Sequence, residues 1–223
     1  MGNERFDLYT EVHKGLRREL CSWIGRLGRL NAENREDIAQ ARSDFDGLAA
    51  LLATHAGHEE KWVHPYLAKC APELSDDLER EHEETDVLFD AAADAFDSLA
   101  ESSTAESWGL QQELYRKFSV FTGQYLTHLA REENEAMRVL QEHHSDDELM
   151  ALSGQLLGSI PPDVMAKFLT VMIPAMSVKE RVIMLGGMKE TAPPPAFEGV
   201  CGLAANVLSP AEWTDVRGRV GIA

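Results

Sequence analysis

Within the long helical stretches of this sequence, three histidines are each followed four residues later by a carboxylate: His55 by Glu59, His82 by Asp86 and His128 by Glu132. Residues four apart on an α-helix lie one above the other on a single face, so each pair can offer an imidazole nitrogen and a carboxylate oxygen to one point in space. A fourth histidine, His13, shares its helical face with Tyr9, Leu16 and Leu20. His55 shares its face with Leu48, Leu51 and Leu52, His82 with Leu78 and Phe89, and His128 follows Phe121 and Tyr125. All four imidazoles are therefore predicted to face inward. An ionised carboxylate in an apolar core costs on the order of several kcal/mol unless it is paired or metal-bound. Bound metal resolves that conflict. Imidazole and carboxylate together suit iron, manganese or zinc, and a carboxylate that bridges two ions lets seven side chains serve two sites. The candidate ligands are His13, His55, Glu59, His82, Asp86, His128 and Glu132, with Glu59 and Glu132 as the bridging candidates.

Neighbouring residues have plainer readings. His58, three residues after His55, can substitute for Asp86 as a ligand or line the site. His64, beside Pro65, reads as a surface or helix-end residue. Glu60, Glu83, Glu84 and Glu133 point about 100° or more away from the ligands on an ideal helix, so they are expected in solvent, with Glu133 held as an alternative donor. His143 and His144 suit the negative end of a helix dipole. Tyr9 and Tyr125 lie close enough to His13 and His128 to hydrogen-bond a bound ligand, or else are core tyrosines.

The elements that must position these groups are four long helices. Phe6, Tyr9, Leu16, Leu20, Ile24 and Leu27 recur mostly at three- and four-residue steps between Arg5 and Leu30. After a polar break at Asn31 to Asn34, a second stretch runs from Ile38 toward Cys70, with Pro65 expected to kink or end it. A third follows Pro72, with Ser75 as an expected N-cap, through Leu99. A fourth runs from about Glu106 to about His143. Four such helices joined by short polar loops predict an all-α, up-down four-helix bundle over residues 1–144.

Residues 145–223 differ in kind, with short helical segments punctuated by Pro and Gly. At an offset of 32 residues Ser145, Ser177 and Ser209 align, as do Glu148, Glu180 and Glu212. Each Ser-x-x-Glu is a capping box, in which serine and glutamate side chains satisfy each other's free backbone amides at a helix start. The region is predicted to repeat a helix-turn-helix unit two and a half times, as a cap on the bundle or a surface for docking or homodimerisation.

The chain carries 38 acidic and 21 basic residues, a formal charge of −17, which repels phosphate backbones and anionic lipid surfaces. Nucleic-acid and membrane partners are disfavoured on that ground. No apolar run approaches the roughly 20 residues of a spanning helix, and the opening residues do not read as a signal peptide, so the expected location is cytoplasmic. Cys21, Cys70 and Cys201 are odd in number and widely spaced, and are read as buried thiols.

The order and spacing of the motifs resemble the hemerythrin-like, HHE cation-binding family. The resemblance rests on His13, on His55-x-x-x-Glu59-Glu60 before His64-Pro65, on Glu81-His82 and on His128-x-x-x-Glu132-Glu133, and covers roughly residues 5–143. It implies a non-haem centre of two iron ions, oxo- or hydroxo-bridged, with zinc or manganese as alternatives. Dioxygen, peroxide or nitric oxide would be its ligands. Where the family's oxygen carriers place a second histidine in the third helix, this chain offers Asp86. In the fourth, carriers have an aspartate five residues after histidine, where this chain offers Glu132 at four or Glu133 at five. A shell richer in carboxylate lowers the reduction potential and favours peroxidase-like or catalase-like chemistry over reversible oxygen carriage. The alternative is an iron, oxygen or redox sensor whose metal site controls a partner surface.

Overall fold

The structure is a computed structural model that describes residues 5–222, all helices, turns and loops. It divides into two compact units. One contains Leu20–Leu157 and the described residues up to Tyr9; the other contains Thr10–Glu19 and the chain from Gly158 onward. The division falls within the helix α1 (Thr10–Arg29), and on the C-terminal side after Leu157.

The larger unit is a helical bundle. Besides the second half of α1 it holds α2 (Arg35–His58), which continues through a π-helical turn, π1 (Glu59–Val63), into α3 (His64–Cys70). It holds α4 (Pro72–Glu101), then α5 (Thr104–Arg131), which continues through π2 (Glu132–Ala136) into α6 (Met137–His143), and α7 (Asp146–Ser159) as far as Leu157. Asn34 caps α2, its side chain accepting from the amides of Glu36 and Asp37. The sequence-based N-cap at Ser75 is corrected: α4 already begins at Pro72, where proline's missing N–H costs nothing. Ser75 is buried in the first turns, donating to the His64 carbonyl at 3.4 Å.

Each long helix buries a seam whose steps alternate between three and four residues. On α2 the seam is Ile38, Ala41, Phe45, Leu48, Leu52 and His55, ending at Glu59; on α5 it is Leu114, Phe118, Phe121, Tyr125 and His128, ending at Glu132. On α4 it runs Ser75, Leu78, His82, Thr85, the half-buried Phe89, Ala92, Phe96 and Leu99. This is the pattern of near-parallel helices meshing side chains along a common axis. One half of the seam is an aromatic plug, with the Phe45 ring stacked on Phe89 at 4.9 Å and edge-on to Trp23, Phe96 and Phe118. Histidines and glutamates replace apolar residues further along the same seam. The three cysteines are not the buried thiols expected: Cys21 is exposed, and Cys70 and Cys201 are partly so.

The second unit is built of α8 (Pro162–Ala175), α9 (Val178–Thr191), α10 (Pro194–Val207) and α11 (Pro210–Val220), starting every 16 residues. α8 packs on α10 and α9 on α11, each helix meeting the next but one, as in a stacked helical repeat. Leu169, Ile173, Ala204 and Leu208 form its core, with Met165, Met184 and Trp213 against it. All three capping boxes are present. The Ser145, Ser177 and Ser209 amides donate to Glu148, Glu180 and Glu212 at 2.8, 2.7 and 3.1 Å, and each glutamate amide donates back to its serine hydroxyl at 3.3 Å. Arg181 is buried and closes α8, donating to the Ile173 and Pro174 carbonyls at 2.8 and 3.1 Å and to Glu212 at 3.1 Å. In this unit Gly15 of α1 meets α8, and a Cβ there would lie 3.1 Å from Met172.

Candidate metal centre

The bundle's polar residues converge where the seams of α2, α4 and α5 turn from apolar to ionisable. Ligand atoms of His55, Glu59 and Glu132 lie within 4.8 Å of one another, and so do those of His82, His128 and Glu132. All five residues are buried, with Glu132 wholly so. Glu132 belongs to both groups. His55 Nε2 stands 3.2 Å from Glu59 Oε1, His128 Nε2 3.3 Å from Glu132 Oε1, and His82 Nε2 3.7 Å from Glu59 Oε2. His13, on the Thr10–Glu19 stretch of α1, is wholly buried on the seam of Tyr9, Leu16, Leu20, Trp23 and Leu27.

Outward-facing nitrogens are held by carboxylates. His128 Nδ1 lies 2.9 Å from Glu81, whose other oxygen accepts from Arg131 at 2.5 Å, and Arg131 also holds Asp77 at 3.2 Å. His82 Nδ1 lies 3.2 Å from Glu60. A carboxylate on Nδ1 fixes the proton there and turns the Nε2 lone pair inward, the arrangement that makes imidazole a directed metal ligand. His82 Nε2 is buried and makes no hydrogen bond with the protein, and buried His128 Nε2 is turned toward Glu132 Oε1. Imidazole lone pairs aimed at buried carboxylate oxygens are mutually repulsive until a cation lies between them, so the donor set fits a metal ion.

Without the ion a proton must serve. Burial opposes charge on His128, but Glu132, Glu81 and Glu59 outweigh it and raise its pKa to about 9. Burial and the neighbouring His128 push His82 down to about 4. Burial first, then the charges of Glu59 and Glu132, holds the Tyr9 and Tyr125 phenols well above their usual range, so both stay protonated.

The structure departs from the sequence reading at several residues. Asp86 is exposed and belongs to neither donor group. The buried seam of α4 steps from His82 by three residues to Thr85, leaving Asp86 one residue past the seam. His58 is half-buried and in neither group. Glu60, expected in solvent, keeps nearly half its side chain exposed yet holds His82. Glu81 entered the sequence reading only as part of a motif, and its role depends on a neighbouring helix.

His64, expected at the surface, is buried, its ring stacked on His82 with centroids 5.5 Å apart. The two π-turns explain this. On an unbroken helix, nine residues at about 100° each carry His64 to the side opposite His55. A π-turn absorbs one extra residue, so the downstream phase falls back by about 100° and His64, Val63 and Leu67 rotate inward. π2 does the same after His128 for Ala136, Met137 and Leu140. Each π-turn begins at a glutamate of the cluster.

Residues 5–140 match the family model of the hemerythrin HHE cation-binding domain. Over 190 residues the chain is 25% identical to the zinc finger protein BRUTUS of Arabidopsis thaliana, covering 83% of this chain and 14% of that protein. It is 22% identical over 186 residues to a BRUTUS-like zinc finger protein of the same plant, covering 83% and 15%. The chain thus spans a small part of these relatives' length. No solved structure matches it. A four-helix seam that ends in paired histidines and glutamates, matched over the same stretch by the family model, shows that the chain belongs to the hemerythrin HHE cation-binding family.

Proposed function

We propose that the cluster holds two iron ions and that the protein handles a small oxygen or nitrogen oxide species such as dioxygen, peroxide or nitric oxide. The observation that carries this reading is Glu132: one buried carboxylate common to two donor groups suits a bridge between two ions. His55 and Glu59 would serve one ion and His82 and His128 the other. His13, buried on the α1 seam and placed first in the family motif, would complete the first set. Redox-active ions would supply two electrons to the bound peroxide, and an external reductant would return them for peroxidase-like turnover. The chain's own part is to orient the imidazoles through Glu60 and Glu81, and to keep the site dry with the Phe45, Phe89, Phe118 and Phe121 plug. Two protonated phenols face the same carboxylates.

A sensor reading is favoured by the burial of four ionisable donors and a shared glutamate in one seam. Such a seam folds at a cost that metal relieves, so occupancy would be read as stability. Metal-dependent binding of a partner without turnover would distinguish it.

Metal analysis of purified protein, with spectra before and after peroxide, tests the proposal. About two irons per chain with near-ultraviolet charge-transfer bands are expected, lost in His55→Ala, Glu59→Ala and retained in Asp86→Ala. Zinc, or no metal after growth in ample iron, would overturn the redox reading.

A further inference from the structure

We infer that His64 hydrogen-bonds a small ligand carried by the metal on the His82–His128 side of the centre; the inference rests on the metal-centre reading above. The π1 turn brings His64 inside the bundle, where its ring lies nearly parallel to that of His82, at an interplanar angle of 15°. It is close to the donors but outside their group: His82, His128 and Glu132 come within 4.8 Å of one another and His64 is not among them. Its Nε2 is shielded from solvent and makes no hydrogen bond with the protein. A buried imidazole nitrogen without a partner is costly, and such a group beside a donor cluster calls for a functional partner.

The surroundings match that role. Ser75 Oγ donates to the His64 carbonyl at 3.4 Å, tying the backbone at this point to α4. Three protein donors leave an ion of this kind with open coordination positions. A ligand bound in one of them on the His82 side would lie near the His64 ring, which stacks on His82. A small, hydrogen-bond-accepting species is the chemical class that fits, because His64 and the donors beside it are all buried.

Azide is the probe. The iron-loaded chain of residues 1–223 is titrated with sodium azide and the charge-transfer band gives its Kd for wild type, His64→Phe and His64→Gln. His64→Phe keeps a ring stacked on His82 and removes the hydrogen bond, so azide binding should weaken about tenfold at unchanged iron content. His64→Gln, which retains a donor, should recover part of the loss. Equal azide affinity in wild type and His64→Phe overturns the inference while leaving the metal centre intact. So does loss of an iron in His64→Phe, which would make His64 a ligand. A wild-type chain that holds no iron fails at the earlier step, and the inference falls with it.

Discussion

Replacing Glu81 by Gln separates the imidazole's orientation from its mere presence. Glu81 accepts from His128 Nδ1 at 2.9 Å and is itself gripped by Arg131 at 2.5 Å, with less than a fifth of its side chain exposed. The amide preserves shape but exchanges a charged acceptor for a neutral one, lowering the basicity of Nε2 and loosening the ring. Outer-shell partners of metal-bound histidines are typically worth about 10- to 100-fold in affinity, and a shielded, arginine-locked one belongs near the upper end. Glu60 plays the same part for His82 at 3.2 Å, but nearly half its side chain is exposed and solvent screens it. Glu60→Gln should therefore cost about tenfold or less. The assay is competition for ferrous iron against a chromophoric chelator, with circular dichroism confirming that both variants fold. Unchanged affinity in Glu81→Gln, or a larger loss in Glu60→Gln, would refute the assignment of these carboxylates as positioning groups.

Metal loading should release protons. His128 is raised to about 9, so it is charged near neutral pH and must give up its proton to bind a cation; about one proton per chain should appear in a weakly buffered titration, and affinity should climb with pH up to about 9. No release would contradict the charged apo state. In metal-free protein, His82 has its pKa depressed to about 4 from the usual 6.5, so the unfolded chain takes up a proton that the folded one refuses. Its effect is to lower stability as pH falls from about 6.5 to about 4, while the raised His128 pKa stabilises below 6.5 and loses that contribution as pH rises through 9. Urea midpoints across that range, with chelator present, report both. In the second unit, Arg181→Met removes three hydrogen bonds and strands the Ile173 and Pro174 carbonyls, for an expected loss of about 2–4 kcal/mol in urea unfolding. A loss below about 0.5 kcal/mol would mean that water replaces the guanidinium at no cost.

Local rules alone determined much of this protein. The i,i+4 geometry of His55 and Glu59 and of His128 and Glu132 depends only on helix pitch, and both pairs stand as paired in the bundle. The three Ser-x-x-Glu boxes are likewise closed within four residues, and each forms where the 32-residue spacing put it. Asp86 satisfied the same local rule and still fell outside. Which of two nearby phases on α4 is buried depends on the helices packed against it, and the seam took Thr85. His64 and Glu60 were misread for a related reason. A π-turn adds no residue type that sequence periodicity would register, yet it shifts the phase of everything after it, and the wider turn is held by tertiary packing. Glu81 and Arg131 act on His128 across 47 positions and three, respectively, and a partnership between helices becomes visible only once the helices are placed side by side.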